Sequence, residues 1–195
     1  MKLLHIDSSI QGDRSASRAV TREVVARWRA SVSDLEVTYL DLASLSLPHL
    51  SGGSLLRANP TEAEKDARLL EDFLAADVIV IGAPMYNFTV PTQLKAWLDR
   101  VLVAGKTFRY TASGPEGLAG GKRVIVAISR GGIYAQNAFG EHVEGYLRDV
   151  FAFVGITEVS FVRAEGLAIS PESRQKGLDT ALAAIPAPQR QALAA

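Results

Sequence analysis

Apolar residues along this chain gather in five short, nearly unbroken runs. The stretches between them repeat their apolar positions every three or four residues. The runs Lys2–Asp7, Glu36–Leu40, Asp77–Ala83, Arg123–Ser129 and Val159–Arg163 predict five strands. The third is apolar enough for the centre of a sheet covered on both faces. After the first strand, Val20, Val24, Trp28 and Val32 recur every four residues and form one face of a helix that starts near Ser15. Arg18, Arg22 and Arg29 take its other side. Thr61-Glu62-Ala63-Glu64 fits a capping box for a helix running to about Ala76. Leu94, Trp97, Leu98 and Val101 mark a third helix, and Val143, Leu147, Val150, Phe151 and Val154 a fourth. Ser170-Pro171 caps a last helix, with Pro at its first turn.

Strict alternation of strand and helix predicts an α/β doubly wound domain, a parallel sheet with helices on both faces. Five strands favour the flavodoxin-like order 2-1-3-4-5. Residues 1–195 read as one domain, in which Pro186 and Pro188 end the last helix and 186–195 form a loose tail. Two segments depart from the alternation. Leu42 to Pro60, with Ser, Gly and Pro throughout, is longer than an ordinary connection and is expected to be functional or mobile. Phe108 to Gly121 reads as an inserted loop or hairpin.

Composition narrows the function. Lys plus Arg number 21 and Asp plus Glu 21, so the net charge is zero and the basic footprint of a nucleic-acid binder is missing. The chain has no cysteine, which excludes disulfides, thiol nucleophiles and thiolate metal sites. His5, His49 and His142 lie far apart without ligand spacing, so no metal site is expected. The first residues are charged too early for a signal peptide, and no apolar run approaches the ~20 residues that span a bilayer. The expectation is a soluble cytoplasmic protein that engages neither nucleic acid nor membrane.

Candidate chemistry sits in the loops after the first, third and fourth strands. In a parallel sheet these emerge on one edge, and in the order 2-1-3-4-5 they flank the switch point where ligands bind. The first loop, Ser8 to Ser17, carries Ser9 and Ser15-Ala16-Ser17 at a helix N-terminus. Such an end is a ready anion site, and the serine hydroxyls suit a phosphate, although Ser15 also fits an ordinary N-cap. No P-loop lysine and no G-x-G-x-x-G pattern is present, so a monoester phosphate fits better than a nucleoside triphosphate or a dinucleotide. The second loop is Met85-Tyr86-Asn87-Phe88, whose aromatics either plug the end of the sheet or cover a flat, partly polar ligand. The third is Ser129-Arg130-Gly131-Gly132, where two glycines either make a tight turn or let the backbone approach a planar group. A phosphate at one end and a flat polar ring at the other describe flavin mononucleotide (FMN). None of these residues is an obvious acid or base, so none is assigned a catalytic role.

Ser9, Ser15-Ala16-Ser17, Met85-Tyr86-Asn87-Phe88 and Ser129-Arg130-Gly131-Gly132 together resemble the FMN-dependent NADH:quinone oxidoreductases of the azoreductase type. Phe108-Arg109-Tyr110, Gly114-Pro115-Glu116-Gly117-Leu118 and Phe153-Val154-Gly155-Ile156 extend the likeness over nearly the whole chain. The resemblance implies a flavodoxin-like fold, one FMN per subunit, a homodimer with flavins at the interface, and use of NADH or NADPH to reduce quinones and azo compounds. It implies phosphate contacts from Ser9, Ser15 and Ser17. Met85 to Phe88 would line the ring, and Ser129, Gly131 and Gly132 would supply backbone contacts. Tyr86 and Phe88 fit either under the flavin or as a substrate wall, and Trp97 and Phe153 fit either core or interface. Arg57 reads as a solvated side chain or as a contact for a nucleotide phosphate or a carboxylated dye. Two rivals remain: a flavodoxin-type electron carrier without its own NAD(P)H turnover, and a flavin-free regulatory domain.

Overall fold

Why the chain alternates between two kinds of apolar pattern is evident in the computed structural model, which describes residues 1–134 and 139–189. Its strands are β1 (Lys2–Asp7), β2 (Glu36–Asp41), β3 (Val78–Pro84), β4 (Phe108–Thr111), β5 (Gly114–Gly117), β6 (Arg123–Ser129) and β7 (Glu158–Ala164). Its helices are α1 (Ala16–Ser31), α2 (Gly52–Leu55), α3 (Pro60–Ala75), α4 (Thr92–Val101), α5 (Val143–Phe153) and α6 (Pro171–Ala183). A five-stranded sheet runs β2-β1-β3-β6-β7 with every neighbouring pair parallel. Strands β4 and β5 form a separate antiparallel hairpin. The five strands of the main sheet follow one another across it in the order 2-1-3-4-5 once that hairpin is left out of the count.

Successive side chains on each strand go to opposite layers, and the core splits accordingly. Leu4, Ile6, Ile79, Ile81, Val124 and Val126 pack with α3, α4 and α5. Leu3, Val78, Val80, Ile125 and Ala127 pack with α1 and α6. This is why the central strands read as unbroken apolar runs. Trp97 belongs to the first layer, fully buried, with its ring edge-on to Phe73 at 5.8 Å between centroids. Phe153 lies under the hairpin, 4.5 Å from the Phe108 ring. The hairpin docks so closely that a Cβ on Gly117 would stand 2.1 Å from the Gly155 nitrogen, so only glycine fits there.

Three boundaries differ from the sequence expectation. Helix α3 starts at Pro60, capped by the Asn59 side chain, which accepts from the N–H groups of Thr61 and Glu62. Proline's fixed φ and missing N–H suit the first helical position, so the cap moves ahead of Thr61. The excursion 42–60 contains a helical turn, α2, closed by a Ser51–Ser54 capping box. Helix α6 ends at Ala183, ahead of both prolines, and Arg123 reaches the Gln189 carbonyl at 3.5 Å. Of the tail expected to be loose, residues 190–195 lie outside the described residues. Among the described residues no helix is long and apolar enough to cross a membrane.

Candidate functional site

The strands β1, β3 and β6 lie side by side, and their C-terminal ends deliver the three loops to one edge. Gly82 lets β1 and β3 close up there: an added Cβ would stand 2.6 Å from Asp7 Oδ1. Ser8 Oγ donates to the Gly82 carbonyl at 2.6 Å and ties the first loop to the same point.

The first loop is rich in donors and poor in acceptors for them. Ser9, Ser15 and Ser17 are all buried. Ser15 caps α1 by accepting from the Arg18 N–H, and its hydroxyl lies 3.0 Å from that of Ser17. Ser15 is therefore the N-cap of α1, with its hydroxyl also beside that of Ser17. Each hydroxyl carries one proton, so when one serine donates to the other, the second proton has no acceptor among the described residues. The Ser9 and Tyr86 hydroxyls repeat the arrangement at 3.2 Å, each also accepting a backbone N–H, from Gln11 and Ile10 respectively. The first N–H groups of α1, at Ala16 and Ser17, precede any carbonyl they could bond within the helix. Surplus donors at a positive helix end make a site for an anion.

The second loop is a tight reversal. Tyr86 and Thr89 exchange backbone hydrogen bonds of 3.0 and 3.2 Å around Asn87 and Phe88, whose φ angles are +47° and +73°. Two consecutive positive φ values define the primed turn that usually holds Asn-Gly. Phe88 takes the glycine position, a strained place for a bulky residue, costing roughly 1–2 kcal/mol. Its half-exposed ring rests on Gly140, where a Cβ would stand 2.6 Å from Phe88 Cδ1. The Met85 N–H donates to the Ser129 carbonyl at 2.9 Å and joins the second loop to the third.

The third loop divides into two parts. Gly131 and Gly132 accept through their carbonyls from Ala168 and Gly166. The side chain of Arg130, another position expected at the cofactor, is buried in an ion network. Its amino groups meet Glu165 at 2.9 Å, Glu141 at 2.7 Å and Glu144 at 3.0 Å, and Glu144 is also held by Arg163. Of the Arg130 side-chain nitrogens, Nε alone has no acceptor among the described residues. Burial pushes the Glu144 carboxyl up, but the bonds and charges of Arg163 and Arg130 outweigh this and hold it below its usual value. The side chain of Arg130 thus braces the loop from behind.

The sequence pattern missed the opposite case. Arg18, assigned to the polar side of α1, has a side chain only 11% exposed. It donates through Nε (3.3 Å) and an amino group (2.8 Å) to the Ser9 carbonyl, and to Asp41 at 2.6 Å and Tyr39 at 3.0 Å. Burial lowers the guanidinium pKa, yet the bond and charge of Asp41 with the charge of Asp7 leave it raised, so it stays charged. Asp7 lies beneath, accepting from Thr21 at 2.9 Å and Tyr39 at 3.1 Å. Burial raises its carboxyl, but His5, Thr21 and Arg18 together bring it below the usual range. The signal available in the sequence was an acidic residue ending each of the first two strands, Asp7 and Asp41, opposite an arginine in the first turn of the intervening helix. Arg57 lines a cleft of about 330 Å³ with Leu55, Asp66 and Arg100, none of whose lining residues belongs to the three loops.

A family model described as a flavodoxin-like fold matches residues 1–187. An FMN-dependent NADH:quinone oxidoreductase 2 of Bradyrhizobium diazoefficiens is 56% identical over 195 residues, covering 94% of this chain and 96% of the relative. An FMN-dependent NADH:quinone oxidoreductase of Xanthomonas oryzae pv. oryzae is 51% identical, with both chains covered in full. Among solved structures, an azoreductase from Bacillus anthracis superposes with a TM-score of 0.84 at 28% identity, covering 94% of this chain and 95% of that one. An FMN-dependent NADH-azoreductase from Bacillus anthracis in complex with FMN gives 0.84 at 26% identity, covering 94% of this chain and 97% of that one.

Proposed function

The chain belongs to the flavodoxin-like family whose model spans residues 1–187, and on that premise we propose that its three loops hold FMN for the transfer of electrons from NADH or NADPH to quinones and azo compounds. The protein is an FMN-dependent NADH:quinone oxidoreductase of the azoreductase kind, as its relatives are named. One observation carries the site: buried serine hydroxyls with a proton to spare at the N-terminus of α1, which suit a phosphate monoester.

The residues fit the group. Ser9, Ser15 and Ser17, with the N–H groups of Ala16 and Ser17, bind the phosphate. Met85, Tyr86, Asn87 and Phe88 line the ring, and the backbone of Ser129, Gly131 and Gly132 lies along its polar edge. Arg130 orients that backbone. Bound FMN supplies the redox step, taking hydride from the nicotinamide and passing the electron pair to the acceptor. Donor and acceptor use one open face in turn, so initial rates should give parallel double-reciprocal lines, and intersecting lines would overturn this order of events. The chain acts as one domain, residues 1–195, and its dependence on NADH, a reductant of the cytoplasm, supports work there. We infer a homodimer from the resemblance; it would give cover to exposed apolar side chains such as Phe139, Leu56, Tyr110 and Ile133. Light scattering should give twice the mass of one chain; a monomer at micromolar concentration overturns the pairing.

The deciding experiment is titration of the flavin-free protein with FMN and FAD, followed by anaerobic addition of NADH and then a soluble quinone. FMN should bind the tighter, bleach with NADH and recover its colour with quinone. Tight FAD binding with weak FMN binding overturns the cofactor assignment. Bound FMN that NADH leaves oxidised favours the electron carrier instead.

A further inference from the structure

Arg18 is absorbed by neither the FMN loops nor the core, yet it is the most heavily engaged side chain near the site. Two of its donors converge on a single acceptor, the Ser9 carbonyl, at 2.8 and 3.3 Å. Asp41 at 2.6 Å, Tyr39 at 3.0 Å and Asp7 at 3.8 Å hold the guanidinium in place from the other side. Bonds between charged partners are the strong ones, and the planar fork fixes direction as well as distance.

A trans peptide is planar, with its C=O and the following N–H pointing in opposite directions. Drawing the Ser9 oxygen back towards Arg18 therefore turns the Ile10 N–H the other way. That N–H meets the Tyr86 hydroxyl at 3.2 Å, on the side of the second loop and beside Ser9 Oγ. Were the peptide reversed, a carbonyl oxygen would face the serine cluster and repel an anion there. Ser15 and Ser17, in the turn that opens α1, come just before Arg18 in the chain.

We propose that Arg18 is a positioning residue that fixes the Ser9–Ile10 peptide with its N–H towards the site and so sets the preference for the phosphorylated flavin. This rests on the FMN reading of the three loops. Arg18 acts through the Ser9 carbonyl and is not itself a ligand of the phosphate. The loop's selectivity then depends on the acidic ends of β1 and β2, which hold the arginine in turn.

The test is the ratio of FMN to riboflavin affinity, measured by quenching of flavin fluorescence in flavin-free protein. The two ligands share the ring and differ in the phosphate, so general loosening of the fold weakens both alike. In R18Q the ratio should fall about tenfold or more, the loss of one charge-assisted bond. R18K should recover part of it. D41N leaves the arginine but frees it to turn, while an amide oxygen still accepts from the Ala43 N–H, which Asp41 now receives at 3.1 Å. It should lower the ratio in the same direction by less. D41N and R18K carry the test if R18Q fails to fold. An unchanged ratio in folded variants overturns the clamp and leaves the FMN site standing. A wild-type protein with no preference for FMN over riboflavin overturns the site reading, and the clamp with it.

Discussion

Arg18 and Arg130 occupy comparable places, one in the connection after β1 and one after β6, Arg130 buried and the Arg18 side chain 11% exposed, each beside a candidate cofactor loop. Their surroundings differ in kind. Arg130 meets three carboxylates, and its loop's carbonyls are also taken by backbone N–H groups. Arg18 places two donors on a backbone oxygen and leaves the serine hydroxyls in front of it with protons to spare. A buried arginine near a site is thus no sign of a ligand contact. What marks the candidate phosphate loop is the excess of unaccepted donors around it.

The comparison breaks most sharply on Arg130. Arg130→Met leaves Glu141, Glu144 and Glu165 short of their counter-charge, and a buried pair so broken costs about 3–5 kcal/mol. Urea unfolding should register that loss while the FMN-to-riboflavin ratio stays at its wild-type value. A changed ratio with intact stability would make Arg130 a ligand after all. Ser17→Ala should do the reverse. Losing one bond to a phosphate is worth about 1.5–3 kcal/mol, roughly tenfold to a hundredfold in FMN affinity. Titration with unaltered affinity would make Ser17 a mere neighbour of the cap. Gly140→Ala, at φ +83° and against Phe88, should cost about 1–2 kcal/mol in thermal stability. A neutral result would mean that neither the positive φ nor the Phe88 ring constrains this position. The smallest difference is expected in acid. Glu144 lies below its ordinary value of 4.5, so its share of stability is present above that pH and lost as pH falls through the depressed value. Arg130→Met weakens that depression, so acid unfolding should begin at a higher pH than in the wild type.

The strand and helix order was legible because each layer of the core imposes its own period on the sequence. Val20, Val24 and Trp28 pack as a helix face must, and the unbroken run Val78–Ile81 feeds both layers at once. The serine cluster stood out in the sequence too, although capping is the commoner use of a hydroxyl at a helix start and Ser15 serves as one. The fate of the arginines was not. Arg18, Arg22 and Arg29 share one side of α1 in the sequence, and only the acidic ends of β1 and β2, brought together by the sheet, single out the first. Arg130 looked like part of a glycine loop because its carboxylate partners lie 11, 14 and 35 residues away in sequence. The cap of α3 was misplaced by one motif competing with another, Asn-Pro against Thr-Glu-Ala-Glu.

Phe88 has a consequence for anyone redesigning this protein. Its backbone sits at φ +73°, where glycine would be at ease, and its ring is half exposed. A search for sturdier variants that scores the free chain alone would replace it early, and the change would look like an improvement on a melting curve. The same edit would strip an aromatic wall from the three-loop edge. Position 88 should therefore be frozen before such a search begins, so that the ring-lining role proposed for Phe88 is not traded away for folding stability.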